Sequence, residues 1–429
     1  MRILVLGGYG FIGAEIVRAL LSDGSEVIGL GRNAWLGARL LPAARWIGAN
    51  MAKLTAPEDW RPHLRGVDAV VNAAGALQDG ARDDLAAVHD KAIRAAIAAS
   101  ESAGVGRFVQ ISAPGAEAGA STAFLRTKAA GDAALRASKL DWVILKPGLV
   151  IGRNAYGGTA LLRMLAAFPA VSPLVHGESR IQTVAVDDVV DAVRRALRGE
   201  IASGGYDLVE PAGHGLRALV AALRAWLGLA PVKTLALPAW CAAPVAFAAD
   251  FAGLLGWRSA LRSTAMRVMS EGVAGDPEPW RRATGRSLKS LEETFAAMPA
   301  TAQDRAFARA SLALPIMICA LALFWIVSGA IGLIDLGQAS AHLAGHADAL
   351  TAQAVVAAGS LLDMAIGGSL LIRRTAKPAA LISIAVAAFY LAVGTVIAPE
   401  LWLDPLGVYV KVFPAMALGL AVALMIGER

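Results

Sequence analysis

Gly7, Gly10 and Gly13 stand three residues apart, directly after the breaker-free run Arg2–Leu6 and directly before an apolar run with helical spacing. A strand, a tight glycine turn and a helix N-terminus let the backbone approach a pyrophosphate, and the free N–H groups and the helix dipole favour its charge. The stretch Gly7-Gly8-Tyr9-Gly10-Phe11-Ile12-Gly13 is therefore the first candidate binding element. A second strand at 26–30, about 20 residues on, gives the motif the context it needs. That strand ends at Gly31-Arg32-Asn33. An acid there would bond the 2′-hydroxyl of NAD, whereas an arginine can pair with the 2′-phosphate of NADP. Arg32 points to NADP(H), with NAD(H) still open; the alternative is an ordinary surface arginine.

Positioning such a turn requires a sheet. Short strands are predicted at 45–49, followed by Asn50, at 68–72, closing on Ala73-Ala74-Gly75, at 107–112, and at 142–145, ending at Lys146-Pro147-Gly148. Helices are predicted at 57–64, 84–103 and 123–138. This alternation implies an α/β fold with a doubly wound parallel sheet and crossover helices on both faces. From Tyr156 to about Ala300 the pattern becomes a smaller mixed α+β cap. It has extended pieces at 175–177 and 183–186, a helix at 187–197 capped by Asp187, a strand at 205–209 and a helix at 216–227. The run 235–257 is nearly all apolar, interrupted by Pro238, Pro244 and Asp250. Two readings stand for it: a membrane-interface helix or greasy pocket wall, and a buried cap helix. Residues 276–279 read as a turn and 299–309 as a linker.

Composition separates two parts. The chain has 429 residues, 56% of them hydrophobic, with mean hydropathy +0.56 and net charge +6. More than one domain is expected at this length. The basic residues are dispersed, without a Lys/Arg block or interleaved aromatics, which argues against a nucleic-acid site. Cys241 and Cys319 are far apart in apolar surroundings, so neither a disulfide framework nor a thiolate metal site is supported. The N-terminal apolar run is short, glycine-interrupted and already used as a strand, unlike a signal peptide, so the soluble part is expected in the cytoplasm.

Four apolar runs, 312–334, 352–372, 378–398 and 405–427, are each long enough to cross a bilayer. The loop at 373–377 is basic, the loop at 335–351 holds no Lys or Arg, and Arg305 and Arg309 precede the first run. By the positive-inside rule the soluble domain, the second loop and the C-terminus face the cytoplasm of an inner membrane. Asp363 and Lys411 lie inside the second and fourth runs. An internal Asp363–Lys411 pair is expected, read either as structural or as part of a quinone or proton path. His342, His346 and Asp348 sit in the first outer loop, but Gly345 weakens the helix they would need and no third ligand is assured, so no metal site is assigned.

The first ~300 residues resemble the short-chain dehydrogenase/reductase superfamily, in its extended or atypical branch. The likeness rests on residues 7–13, 67–75 and Phe108-Val109-Gln110-Ile111-Ser112, and on Leu125-Arg126-Thr127-Lys128 and Lys146-Pro147-Gly148. The Leu-Arg-Thr-Lys run and residues 182–189 are most similar to the group of the nucleotide-binding accessory subunit of respiratory complex I. The resemblance implies that Asn50 meets the adenine, that Ser112 ends its strand beside the nicotinamide, and that Lys128 holds the nicotinamide ribose. It also implies a tyrosine one helical turn before that lysine as proton donor, where this sequence has Phe124. Losing a general acid typically costs 10²–10⁴-fold. Tyr156 is the candidate substitute, against an ordinary loop tyrosine. The last part, about 311–429, is similar in composition to the DoxX-like membrane family.

The expected organisation is thus 1–155 for NAD(P) binding, 156–300 for a cap, 301–311 for a linker and 312–429 for a four-helix membrane bundle. The expected function is a membrane-anchored NADP(H)-dependent oxidoreductase on a quinone- or isoprenoid-like substrate. The alternative is a non-catalytic nucleotide-binding structural, assembly or redox-sensing module of a membrane complex.

Overall fold

A computed structural model describes residues 1–427 except Gln78, Ala81, Arg82, Ala260, His342 and Ala344. The chain forms two compact units. One comprises Met1–Asp250 with Ser259–Ala308, the other Phe251–Arg258 with Arg309–Arg429.

In the first unit, strands β1 (Arg2–Leu6), β2 (Glu26–Gly31), β3 (Arg45–Gly48), β4 (Ala69–Asn72), β5 (Arg107–Ile111), β6 (Asp141–Pro147) and β7 (Gly204–Leu208) make one sheet. Its order is β7-β6-β5-β4-β1-β2-β3 and every pairing is parallel. The strands read as apolar runs because both faces are buried. Ile3, Val5, Val71, Val109 and Val143 pack into one core. Leu4, Leu6, Val70, Phe108 and Ile144 pack into the other. The strand order reverses between β1 and β4, which is where such sheets open a crevice at the strands' carboxyl ends.

Most predicted elements form within a residue or two, and the departures have local causes. The helix expected over 84–103 is a π-turn, Ala87–Lys91, followed by an α-helix, Ala92–Ala103. The segment 57–64 splits into Pro57–Trp60 and a 3-10 turn, Arg61–His63, at Pro62. The extended piece expected at 175–177 lies instead at Val171–Leu174, paired with Lys233–Ala236. Val175–Gly177 forms a bend with His176 at φ 53°. Asp187 is not an N-cap. Strand Thr183–Ala185 runs straight into helix Val186–Leu197, leaving Ala185 at the cap and Asp187 inside the first turn. Helix Glu278–Thr284 begins inside the expected turn, and the stretch expected as a linker is helical from Ala302. The run 235–257 carries a 3-10 turn, Ala239–Cys241, and helix Ala242–Leu254, on which Trp240, Val245, Phe247 and Leu254 are exposed. The buried-cap reading of this run is therefore wrong.

In the second unit, apolar helices pack through small residues. A Cβ on Gly332 would come within 2.3 Å of Ser360 Oγ, and one on Gly367 within 2.8 Å of the Ala322 carbonyl. Such close approach substitutes for the hydrophobic drive that lipid does not provide. Three helices, Ala302–Ile334, Ala349–Leu371 and Ala376–Ile397, are long and apolar enough to cross a membrane. The fourth run departs from expectation. It is helical only over Val412–Met425, because Gly407 turns the chain at φ 64° and Leu406 N–H donates to the Asp404 carboxylate. Those 14 residues rise about 21 Å, short of a bilayer core of about 30 Å. The expected Asp363–Lys411 pair does not form. Asp363 is buried and accepts from Tyr390 Oη at 3.1 Å, while Lys411 is exposed at the N-cap of the last helix. Asp348 caps helix Ala349–Leu371 by accepting from Thr351 N–H, and His342 lies outside the described residues.

Replacing Gly332 with leucine should lower the thermal midpoint of the detergent-solubilised protein by several degrees. Gly337→Leu, at a glycine with nothing within 4 Å among the described residues, should leave it within a degree. Equal effects would refute the close-packed glycine seam.

Candidate functional site

The crevice at the strand reversal is built from backbone that tolerates no side chains. Gly7 has φ 71°, and a Cβ there would sit 2.8 Å from Ala74 Cα. A Cβ on Gly13 would come within 2.2 Å of the Gly7 carbonyl. Gly7 N–H donates to the Leu30 carbonyl and Gly10 N–H to the Gly7 carbonyl, closing the turn. The helix α1 (Phe11–Ser22) that follows has Gly10 at its N-cap and no side-chain cap. Its first N–H groups are thus left to an anion, which fits a dinucleotide pyrophosphate. Ile12 packs against the core below, and Phe11 Cε2 lies 3.5 Å from where a Cβ on Gly152 would be.

The flank formed by β2 is shaped by aromatic rings resting on glycines. The Tyr9 ring fills the Cβ space of Gly31, and its hydroxyl accepts from Asn33 N–H at 3.1 Å. Trp46 fills the Cβ spaces of Gly29 and Gly37. The Asn33 side chain caps α2 (Ala34–Leu40) by accepting from Leu36 N–H. Asn50 accepts from Ala52 N–H, so its carbonyl oxygen is already used locally. Arg32 is half-exposed and pairs with Asp83 at 2.9 Å.

Across the crevice, Asn72 at the end of β4 accepts from Ala74 N–H and donates to Gln110 at 2.8 Å. This fixes the Ala73-Ala74-Gly75 turn. Ala76 N–H then donates to His89 Nε2 at 3.1 Å, so the ring proton sits on Nδ1, facing Thr127 Oγ1 at 3.1 Å. The Thr127 hydroxyl donates onward to the Phe124 carbonyl. Burial, reinforced by Lys128, holds the His89 imidazole well below its ordinary value and therefore neutral at pH 7. The π-turn places this histidine, and Gly131 lets helix Ala123–Arg136 approach, since a Cβ there would meet the His89 carbonyl at 2.3 Å. π-turns recur at functional sites.

Lys128 is buried and donates to the Ile111 carbonyl at 2.7 Å. Burial pushes its ammonium down to about 8, with Asp132 pulling the other way. Burial raises the Asp132 carboxyl, while the Ser112 hydroxyl, donating at 2.5 Å, and Lys128 lower it. The other Asp132 oxygen, Oδ1, is buried without a partner among the described residues. Lys128 and Ser112 thus meet at the end of β5, with the Lys128 Nζ 3.5 Å from where a Cβ on Gly75 would sit. Phe124, one turn before Lys128, lies edge-on to His89 with centroids 5.8 Å apart and offers no proton. Pro147 is buried where β6 pairs with β7. Tyr156 is 50% exposed in the loop before helix Gly158–Ala166, with its backbone N–H on Thr159 Oγ1.

Sequence reasoning missed His89, Asp132, Gln110 and Asp83. Asp132 carried a signal, since it stands four residues after Lys128 on one helix face. His89 carried none beyond being a lone histidine in an alanine-rich run.

Residues 7–167 match the family described as NAD(P)H-binding, and residues 322–420 match the DoxX-like family. The chain is 26% identical over 216 residues to the mitochondrial NADH dehydrogenase (ubiquinone) 1 alpha subcomplex subunit 9 of Arabidopsis thaliana, covering 48% of this chain and 53% of that protein. It is 26% identical over 188 residues to a ceramide reductase of Caulobacter vibrioides, covering 43% and 57%. The chain spans about half the length of the curated relatives it matches. The UDP-glucose 4-epimerase of Thermus thermophilus, solved with NAD, aligns with a TM-score of 0.52 at 21% identity over 69% of this chain and 96% of that one, a likeness of fold. The chain thus joins a stretch that matches the NAD(P)H-binding family to one that matches the DoxX-like family.

The buried lysine makes stability pH-dependent. Between about 8 and its ordinary 10.5 the unfolded chain holds a proton that the folded chain lacks, so stability rises with pH across that window. Relative to Lys128→Met, the wild type should gain up to about 3 kcal/mol from pH 8 to pH 10.5 by denaturant titration. Parallel profiles would show that the charge is not penalised by burial.

Proposed function

We propose that the chain is a membrane-anchored, NADP(H)-preferring reductase that acts on a hydrophobic, quinone- or isoprenoid-like molecule. The observation that carries this reading is the uncapped N-terminus of α1, facing the Ala73-Ala74-Gly75 turn with Lys128 behind it. In the proposed organisation residues 1–155 hold the dinucleotide, 156–300 close over the substrate, 301–311 link, and 312–429 anchor the chain in a cytoplasmic membrane with the soluble part inside.

A bound nicotinamide would supply or accept a hydride. Lys128 would hold its ribose, with Asp132 and Ser112 fixing the floor around the ammonium. Arg32 would take the 2′-phosphate. The substrate class is supported by helix Ala242–Leu254. Its Asp250 pairs with Arg262, which in turn donates to the Asp79 carbonyl in the loop after β4. A greasy surface is thereby tethered to the rim of the crevice. The relative named a ceramide reductase is consistent with a lipid-like substrate. The missing phenol leaves Tyr156 as the residue able to supply a proton.

A second reading has its own support. The Phe124 ring is packed against His89, and the Ser112 hydroxyl is turned onto Asp132, so neither offers a proton to a substrate oxygen. A nucleotide-binding module of a membrane assembly needs no proton donor, and the relative named a subunit of NADH dehydrogenase is consistent with this.

Titrating the purified full chain with NADPH, NADH and their oxidised forms tests both. NADPH should bind at least tenfold more tightly than NADH, and Arg32→Ala should abolish that difference. Oxidation of NADPH by a short-chain quinone, lost in Tyr156→Phe, would establish the reductase. Tight binding without oxidation over hours, and no gain in Phe124→Tyr, would establish the module. Failure to bind any form would overturn both.

A further inference from the structure

The pairing of Arg32 is not explained by the proposed function alone. Its guanidinium Nη1 lies 2.9 Å from Asp83 Oδ1, although 51 residues separate them in the chain. Gly80 and Asp83 exchange both backbone hydrogen bonds, at 2.9 and 3.2 Å. Four residues before Asp83, the Asp79 side chain accepts from Leu85 N–H at 2.7 Å and its carbonyl accepts from Arg262. Asp83 is therefore presented to the end of β2 from across the crevice, with its own backbone paired to that of Gly80.

We infer that Asp83 is a specificity-determining residue. It competes with the 2′-phosphate for Arg32 and so sets how strongly NADP(H) is preferred over NAD(H). This rests on the proposed assignment of Arg32 to the 2′-phosphate. The phosphate carries up to about two negative charges and three acceptor oxygens against the single charge of a carboxylate. The Arg32 side chain is 41% exposed and that of Asp83 19%, so their pair belongs to the weak, exchangeable class and the phosphate can displace it. Once displaced, the carboxylate stays close to the phosphate because its backbone is held, and it repels. The 2′-hydroxyl of NAD(H) carries no charge, leaves the pair intact and meets no such penalty. Asp83 thus works against NADP(H) alone.

The test is nucleotide titration of the full chain as wild type, Asp83→Asn, Asp83→Ala, Arg32→Ala and the Arg32→Ala/Asp83→Asn double variant. Asp83→Asn and Asp83→Ala should each tighten NADPH about fivefold or more and leave NADH within twofold. In the Arg32→Ala background Asp83→Asn should have less than half that effect on NADPH, because interacting residues do not act additively. Equal shifts for both nucleotides, or an undiminished effect without Arg32, would overturn the inference. If Arg32→Ala lowers NADPH affinity while neither Asp83 variant changes it, the inference fails and the Arg32 assignment survives. If Arg32→Ala changes nothing, the assignment fails and this inference falls with it.

Discussion

A side chain at Gly7 would place its Cβ 2.8 Å from Ala74 Cα and 2.9 Å from Ala74 N. That near-contact of two backbones is the constraint on which the rest of the nucleotide-binding unit depends. It brings the turn after β1 against the turn after β4, where the order of the parallel sheet reverses. Gly13, whose Cβ would collide with the Gly7 carbonyl, brings the start of α1 onto the same turn. With no side-chain cap on that helix, its first backbone N–H groups are left to point into the crevice. Everything else at the site is arranged around this fixed slot. Tyr9 and Trp46 rest on the glycines of β2, and Asn72 and Gln110 lock the facing turn.

The polar core behind the slot is a second, coupled layer. His89, neutral because it is buried, accepts from Ala76 N–H and passes its own proton toward Thr127. It thereby ties the turn after β4 to the helix that carries Lys128. Lys128 is held against the Ile111 carbonyl, and Ser112 against Asp132. In the proposed function this arrangement holds the nicotinamide ribose. The ring of Phe124, one helical turn before Lys128, stands edge-on to His89 and offers no proton.

Much of the slot was legible in the sequence, because a buried parallel strand must be an apolar run and a backbone close approach must be glycine. The run Arg2–Leu6, the glycines at 7, 10 and 13 and the turn at 73–75 each carry their constraint in residue type. What was not legible depends on contacts between distant segments. Nothing in the composition of 84–103 shows that one extra residue opens a π-turn, or that His89 would face Ala76. The Arg32–Asp83 pair exists only once β2 and the loop after β4 are brought together. In the membrane part, hydropathy shows how long an apolar run is but not where Gly407 and the Asp404 carboxylate break it. Lys411 accordingly lies at the head of a short helix and not beside Asp363.

Helix Ala242–Leu254 bears on how the molecule must be handled. Trp240 and Phe247 are 73% and 77% exposed, on residues that precede the first long apolar helix by more than fifty positions. Cutting the chain before its membrane helices would therefore not yield a well-behaved water-soluble fragment. Two bare aromatic rings and their neighbours would still face solvent, and the fragment would self-associate or adsorb to lipid unless detergent covered them. Apolar surface is thus distributed along the chain, and part of it belongs to the segment that precedes the DoxX-like stretch.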